Sequence, residues 1–260
     1  MIAPQTDIAT DVAPPGTQAI VRAVRLLKAI AAVGASSNLT DLADELELSK
    51  PTIHRMIAAL ESEGLVTRDG SGFRLGSAII TLGAQALAGS NLRAIARIHL
   101  ERLASESGET ATLEIPAGNN MLILDEVRGR QLVGAHAEVG TQWPMYATST
   151  GKAYLAALPD TELNVCVSAQ RRQLTPATLV ADNDLTSSCR AAAERGFAVT
   201  EEELETGYSA VGASVIGPSG RPVAALSLGG PSERMSGKRL VQLGKAVKNA
   251  AADLGRELGA

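Results

Sequence analysis

Residues 146 to 158, YATSTGKAYLAAL, place the hydroxyls of Thr148, Ser149 and Thr150 ahead of a Gly-Lys pair and an apolar run. Gly-Lys behind small polar residues raises the question of phosphate binding. A phosphate-binding loop needs a glycine five positions before the pair, to let backbone amides wrap the phosphates, and a Ser or Thr after it to hold magnesium. Tyr146 and Ala153 occupy those positions, so the nucleotide reading fails on both counts. What remains is the start of a helix, whose first amides have no partner in a preceding turn and attract an anion. An ordinary N-cap uses the same residue types, so the hydroxyls alone leave both readings open.

Catalytic chemistry finds little support elsewhere. His54, His99 and His136 stand apart from any Ser-His-Asp or metal-ligand spacing, no G-x-S-x-G elbow is present, and Cys166 and Cys189 are isolated. No catalytic residue, metal or cofactor is therefore expected. The run Glu201-Glu202-Glu203 reads as a solvated loop, with Glu202 able to orient a ligand hydroxyl. With 45% apolar and 20% charged residues in 260, the chain has ample material for a core and one or two domains. It carries no membrane-length apolar stretch and no secretory leader, which points to the cytoplasm and to no membrane partner. A net charge of −4 argues against nucleic acid only globally, because local clustering of cations decides that question.

The elements that position such residues follow from periodicity. Residues 1–16, rich in Ala, Pro and Thr, read as a disordered leader, and 17–78 as a first domain. Ile20, Val24, Leu27 and Ala31 recur at helical spacing up to Gly34. A short helix follows, with Thr40 as its expected N-cap; then Ser49, Lys50 and Pro51 open another that presents Ile53, Ile57 and Leu60 on one side. Lys50, Thr52, His54 and Arg55 fall on its other side. LVTRDGSGFRLG reads as a hairpin carrying Arg68 and Arg74. Three helices and a hairpin make a winged helix-turn-helix, a module that lays its last helix in the major groove of double-stranded DNA. Thr40, Ser49, Lys50, Thr52, His54, Arg55, Arg68 and Arg74 are the expected DNA contacts.

Residues 79–107 read as linker and dimerisation helices, because SAIITLGAQALA is apolar nearly all round and must be covered by a core or by a second copy. From residue 108 to 260 the pattern is mixed α/β. ATLEIPAGNNMLILDEVRG and ASVIGPSGRPVAALSLGG read as hairpins, QLVGAHAEVG as a further strand, and helices fit 151–158, 185–195 and 237–258. Strands joined by tight turns imply an antiparallel sheet with helices packed on it.

Four blocks, RAVRLLKAI, LTDLADELELSKPTIHRMIAALESEGLVTRDGSGFRLG, WPMYATSTGKAYLAAL and RGFAVTEEELETGYSAVGASVIGPSGRPVAALSLGGPSERMS, stand in an order that resembles the IclR family of bacterial transcription regulators. The resemblance covers nearly the whole chain from Thr17. It implies an N-terminal winged helix-turn-helix and a C-terminal effector domain with a GAF-like or PAS-like sheet, assembled as a dimer or tetramer. It also implies that Ser149, Thr150 and Gly151 offer amides to a small ligand, often a carboxylate, with these amides rather than Lys152 as the anion contact. Ser227 matches a serine lining the site, and Leu132, Ala135 and Trp143 match apolar wall positions. Thr200 and Ala210 stand where some relatives carry an acid and a cysteine, which leaves the polar side of the pocket different from that of relatives binding very small oxo-acids. The expected function is a ligand-responsive repressor of a palindromic operator, with a small organic acid as effector. A DNA-binding regulator with a vestigial sensor, or an enzyme built on the α/β domain, are the competing readings.

Overall fold

The computed structural model describes residues 16–33, 38–70, 72–88, 91–129 and 138–260. The leader up to residue 15 and most of QLVGAHAEVG, with Leu132, Ala135 and His136, lie outside the described residues. The chain divides into two compact units at Asn91/Leu92.

The first unit holds α1 (Gln18–Val33), α2 (Leu39–Glu45), α3 (Lys50–Ser62), the hairpin β1 (Val66–Asp69) and β2 (Gly72–Leu75), and α4 (Ser77–Ala88). Its core joins Leu26, Ala29 and Ile30 of α1 to Leu42, Ile53, Ile57, Leu60, Val66 and Phe73. The α3 face is the expected one. On α1 the buried face is different: Ile20 and Val24 are exposed, because the inward stripe runs through Leu26, Ala29 and Ile30. Nor does Thr40 cap α2. Asn38 does, its Oδ1 accepting from the amides of Thr40 and Asp41 at 2.9 and 3.0 Å while its Nδ2 donates to Asp41. The turn between α2 and α3 forces Glu47 into the left-handed region at φ 54°.

The second unit comprises α5 (Leu92–Ser107), β3 (Thr110–Ala117), β4 (Asn120–Val127), β5 (Gln142–Pro144), α6 (Ser149–Ala156), α7 (Asp160–Val167), α8 (Asp182–Arg195), β6 (Ala198–Glu201), β7 (Tyr208–Ile216), β8 (Pro222–Pro231) and α9 (Gly237–Glu257). Its strands form one antiparallel sheet in the order β5-β4-β3-β8-β7-β6. The fold is therefore the mixed α/β, two-unit arrangement read from the pattern, with α7 and β6 additional to it. α5, expected as part of a linking segment, contributes Leu92, Ala96, Leu100 and Leu103 to the core of this unit.

The two faces of the sheet differ sharply. In an antiparallel sheet, paired residues share a face and alternate residues point oppositely. One face carries Ala111, Leu113, Val211, Ala213, Val215, Leu226 and Leu228, and it buries them against α5 and α9. The other presents Thr112 and Glu114 on β3, Ser227 on β8, Ala210, Gly212 and Ser214 on β7, and Thr200 on β6. These small or polar residues make a poor oil-like core. They face α6, whose Ala153 carbonyl accepts from the Ser214 hydroxyl at 3.2 Å.

Candidate functional site

On the first unit, the N-terminal end of α3 is open to solvent at Ser49, Lys50, Pro51, His54 and Arg55, while Thr52 is half-buried. Ser49 takes the N-cap position but its hydroxyl meets that of Thr52 at 2.8 Å rather than a backbone amide. Pro51, in the first turn, needs no intrahelical donor there. Arg68 lies over the Phe73 ring and 3.2 Å from Glu61, and Arg74 is 3.5 Å from Asp69. Both arginines and Asp69 are exposed and Glu61 is half-buried, and a surface pair of this kind is worth only about 0–1 kcal/mol, so a phosphate can displace the carboxylate. Thr40 is exposed within α2. Cations on one exposed helix end, above a core that needs none of them, are what a groove-reading helix presents.

On the second unit, the first turn of α6 lies directly on the sheet. A Cβ on Gly212 would stand 2.8 Å from the Thr150 nitrogen, and one on Gly151 would meet the Met145 carbonyl oxygen, closer than any real contact. Two glycines thus let a helix end approach backbone on both sides. Thr148 is the cap: its side chain accepts from the Gly151 amide at 3.1 Å, and its carbonyl accepts from Lys152. Gly151 therefore has its amide engaged, and its part at this site is close packing. The amides of Ser149 and Thr150 are the two left to the helix terminus.

Beneath this turn the hydroxyls converge on a carboxyl group. The Thr150 hydroxyl donates to Glu114 Oε2 at 2.7 Å, and Thr112 donates to Oε1 at 2.8 Å. Thr112 Oγ1 in turn meets Ser227 Oγ at 2.7 Å. All four residues are buried. Burial pushes the Glu114 carboxyl above its ordinary value, outweighing the hydrogen bonds from Thr150 and Thr112 that favour the charged form. Glu126, paired with Thr112 across the strands, shares this face; its Oε1 binds Arg128 at 2.8 Å, and its Oε2 is buried without a partner. Tyr208 belongs to the same face, its hydroxyl filling the space above Gly229. Burial raises its pKa, and the nearby Glu114 and Glu126 add to the rise. An open pocket of about 400 Å³ is lined by Glu126, Arg128, Glu138 and Val139.

Lys152 is not an anion contact. It is buried, and its Nζ lies 2.6 Å from Glu203 Oε1. Burial lowers the Lys152 pKa and raises that of Glu203, opposing the mutual attraction that favours both charges. Glu203 corrects the reading of the acidic run as solvated: its backbone carbonyl accepts from Thr178, and its side chain turns inward. Glu202 beside it adopts φ 59°, its amide donating to the Tyr208 carbonyl and its carbonyl accepting from Thr175. Cys189, near the pair, is pushed up to about 11 by burial, so it is inert as a nucleophile.

Family models match both units. The IclR helix-turn-helix domain covers residues 19–70, and the bacterial transcriptional regulator IclR C-terminal domain covers residues 84–256. The chain belongs to the IclR family. It is a transcriptional regulator with a helix-turn-helix, not an enzyme. It is 30% identical over 254 residues to the HTH-type transcriptional repressor AllR of Escherichia coli K12, covering 96% of this chain and 94% of that one. A solved IclR regulator from Alicyclobacillus acidocaldarius superposes with a TM-score of 0.80 at 26% identity, over 93% of this chain and 98% of that one. An IclR homologue from Microbacterium hydrocarbonoxydans, solved with 4-hydroxybenzoate, gives 0.78 at 24% identity, over 92% and 98%.

Within this IclR-family chain the expected effector residues separate into groups. Thr150 and Ser227 are brought together through Glu114 and Thr112, and the Ser149 backbone lies against Gly212, the strand partner of Ser227. Thr200 and Ala210 pair with each other at the β6 edge of the same face. Trp143 lies on β5 at the opposite edge, with four strands between it and Thr200. Thr112, Glu114, Glu126 and Tyr208 are not evident as site residues from the sequence alone. The signal for the first two is present: in ATLEIP two polar residues stand two apart, hence on one face of a strand whose other face is apolar.

Proposed function

We propose that this regulator represses its target genes by binding a palindromic operator as a homo-oligomer in the cytoplasm, and that a small organic acid bound to the second unit changes its DNA affinity. The observation that carries the reading is the coexistence of two unlike polar surfaces. One is an exposed helix end with the cations Lys50 and Arg55 and the imidazole of His54. The other is a buried cluster of Thr112, Glu114, Thr150 and Ser227 that a core formed for stability alone does not need. Buried polar groups are costly, and their grouping beneath a helix N-terminus supports a binding role. The repressor name of the AllR relative and the 4-hydroxybenzoate held by the Microbacterium homologue agree with it.

The first unit reads the operator, with α3 in the major groove and Arg68 and Arg74 on the backbone. On α4, Ile80 is 75% and Leu82 56% exposed, an apolar surface suited to a second copy. Two copies place two α3 helices on two half-sites. The effector acts only through its unequal affinity for the DNA-bound and free arrangements. Ser149 and Thr150 supply amides to the acid, and Ser227 lines the site. Leu132, Ala135, Trp143, Thr200, Glu202 and Ala210 are the proposed surroundings.

The test is operator binding by mobility shift across a panel of small aliphatic and aromatic acids. An acid that releases DNA from the wild type, and fails to release it from a folded Ser227→Leu variant, is the expected result. DNA affinity indifferent to every acid would favour a regulator without a working sensor.

A further inference from the structure

The face of the sheet under α6 is acidic. Glu114 receives two hydroxyl protons, from Thr112 and Thr150, and no cation among the described residues. The one buried lysine nearby, Lys152, is held by Glu203. Glu126 adds a second carboxylate on the same face, with its Oε2 buried and unpartnered among the described residues. Its side chain is 8% exposed, and the Arg128 it does bind is mostly in solvent.

Proton directions follow from this arrangement. A hydroxyl has one proton to give. While Glu114 is ionised, Thr112 gives its proton to it, and Ser227 then donates to Thr112. The Ser227 hydroxyl then offers only lone pairs to a ligand. Thr150 likewise spends its proton on Glu114. The sheet side of the site therefore presents acceptors: Ser227 Oγ, Thr150 Oγ1, Glu114 and the free oxygen of Glu126. Among the described residues, the donors on this face are the backbone amides at the start of α6 and the Tyr208 hydroxyl, whose proton is held by its raised pKa.

We infer that Glu114 and Glu126 are specificity determinants that make this site select an acid carrying a hydrogen-bond donor, such as a hydroxyl or an amide, and reject one carrying a second permanent anion. The inference rests on the effector reading above and names the chemical class of that effector. The acid group goes to the helix amides, and the donor group satisfies acceptors that are otherwise left dry. An unsatisfied buried acceptor costs more than a made hydrogen bond returns, so the discrimination is against the molecule that lacks the donor. The raised pKa of Glu114 adds a pH signature: as pH falls, the carboxyl takes a proton and its repulsion of an anion fades.

The experiment is calorimetric titration of the full chain with two matched sets of probes. The aromatic set is benzoate, 4-hydroxybenzoate, 4-carbamoylbenzoate and 4-sulfobenzoate; the aliphatic set is propionate, 3-hydroxypropionate, 3-carbamoylpropionate and 3-sulfopropionate. In the set that fits, the hydroxyl or carbamoyl member binds at least about tenfold more tightly than the parent acid, the factor one hydrogen bond carries, and the sulfonate binds more weakly than the parent. Glu114→Gln and Glu126→Gln shrink that ratio, a readout that a general loss of packing would not move. The wild type alone supplies an independent check, because a sulfonate keeps its charge and should gain affinity as pH is lowered from 8 to 5.5. A donor preference that survives in both glutamine variants, or sulfonate binding that is tight and independent of pH, overturns the inference and leaves the effector reading standing. Failure of every probe to bind overturns both.

Discussion

The two units use polar residues in opposite ways. In the first, Lys50, His54 and Arg55 sit in water on a single helix, five residues apart in the chain at most, and the hydrophobic core beneath them is complete without them. In the second, Thr112 and Ser227 are 115 residues apart and touch only because β3 pairs with β8. A polyanion is read by charges that remain hydrated until they meet it, so those charges can be local and exposed. A small molecule is read by groups already stripped of water and held in place by one another. Substitutions should therefore affect DNA binding but not stability in the first unit, and stability together with recognition in the second.

The sharpest test of that contrast is Lys152→Met. It leaves Glu203 buried without its partner, and removing one member of a buried pair typically costs about 3–5 kcal/mol. Chemical denaturation should show a loss of that order, and adding Glu203→Gln to the same chain should recover most of it. A loss below about 1 kcal/mol, the range of an exposed pair, would mean that the second unit tolerates polar change as readily as the first.

Gly151→Ala comes next. Its Cβ would overlap the Met145 carbonyl, which is backbone and cannot rotate away. Overpacking of this kind costs about 1–3 kcal/mol. The variant should lose that much stability and also respond less to effector, because the turn that moves carries the Ser149 and Thr150 amides. Normal stability with a normal response would show that α6 does not need its close seat on the 145–147 turn.

This contrast also explains which features were legible in the sequence. The three helices, the hairpin and the residues of the α3 face follow from local periodicity and capping. On α1, by contrast, Ile20 and Val24 make one helical stripe and Leu26, Ala29 and Ile30 another, and only tertiary packing selects the second. Thr40 and Asn38 are both N-cap types within three residues, and backbone geometry chose Asn38. In the second unit, the helix start at Thr148 could be read locally, but Glu114, Glu126 and Lys152–Glu203 acquire meaning only from strand pairing and burial. A glutamate in a strand looks solvent-facing until another element covers it.

Arg55→Ala addresses the first unit in turn. Removal of an exposed arginine from α3 should leave the denaturation midpoint within about 0.5 kcal/mol of wild type. Operator affinity should fall by about 1–3 kcal/mol if the guanidinium reads a base, or fall equally on all sequences, with a shallower salt dependence, if it meets a phosphate. Binding curves on specific and random duplexes at two salt concentrations separate those cases. Loss of stability without loss of affinity would invert the expected division between the units.

The smallest effects come from two glutamates that hold left-handed backbone, one in each unit: Glu47 at φ 54° and Glu202 at φ 59°. For a non-glycine residue that conformation costs roughly 1–2 kcal/mol, and glycine removes the penalty at an entropic cost of about 0.5–1 kcal/mol. Glu47→Gly and Glu202→Gly should each therefore stabilise by about 0.5–1 kcal/mol, seen as a small rise in the unfolding midpoint. At Glu47 the side chain is exposed in the helix-turn-helix turn, so stability should be all that changes. At Glu202 the backbone joins Tyr208 to Thr175 beside the acidic face, and strain kept at such a place is a mark of use. If Glu202→Gly gains stability and loses effector response, its side chain belongs to the site. If both variants merely gain stability, Glu202 is a turn residue like Glu47, and the recognition surface ends at Glu114 and Glu126.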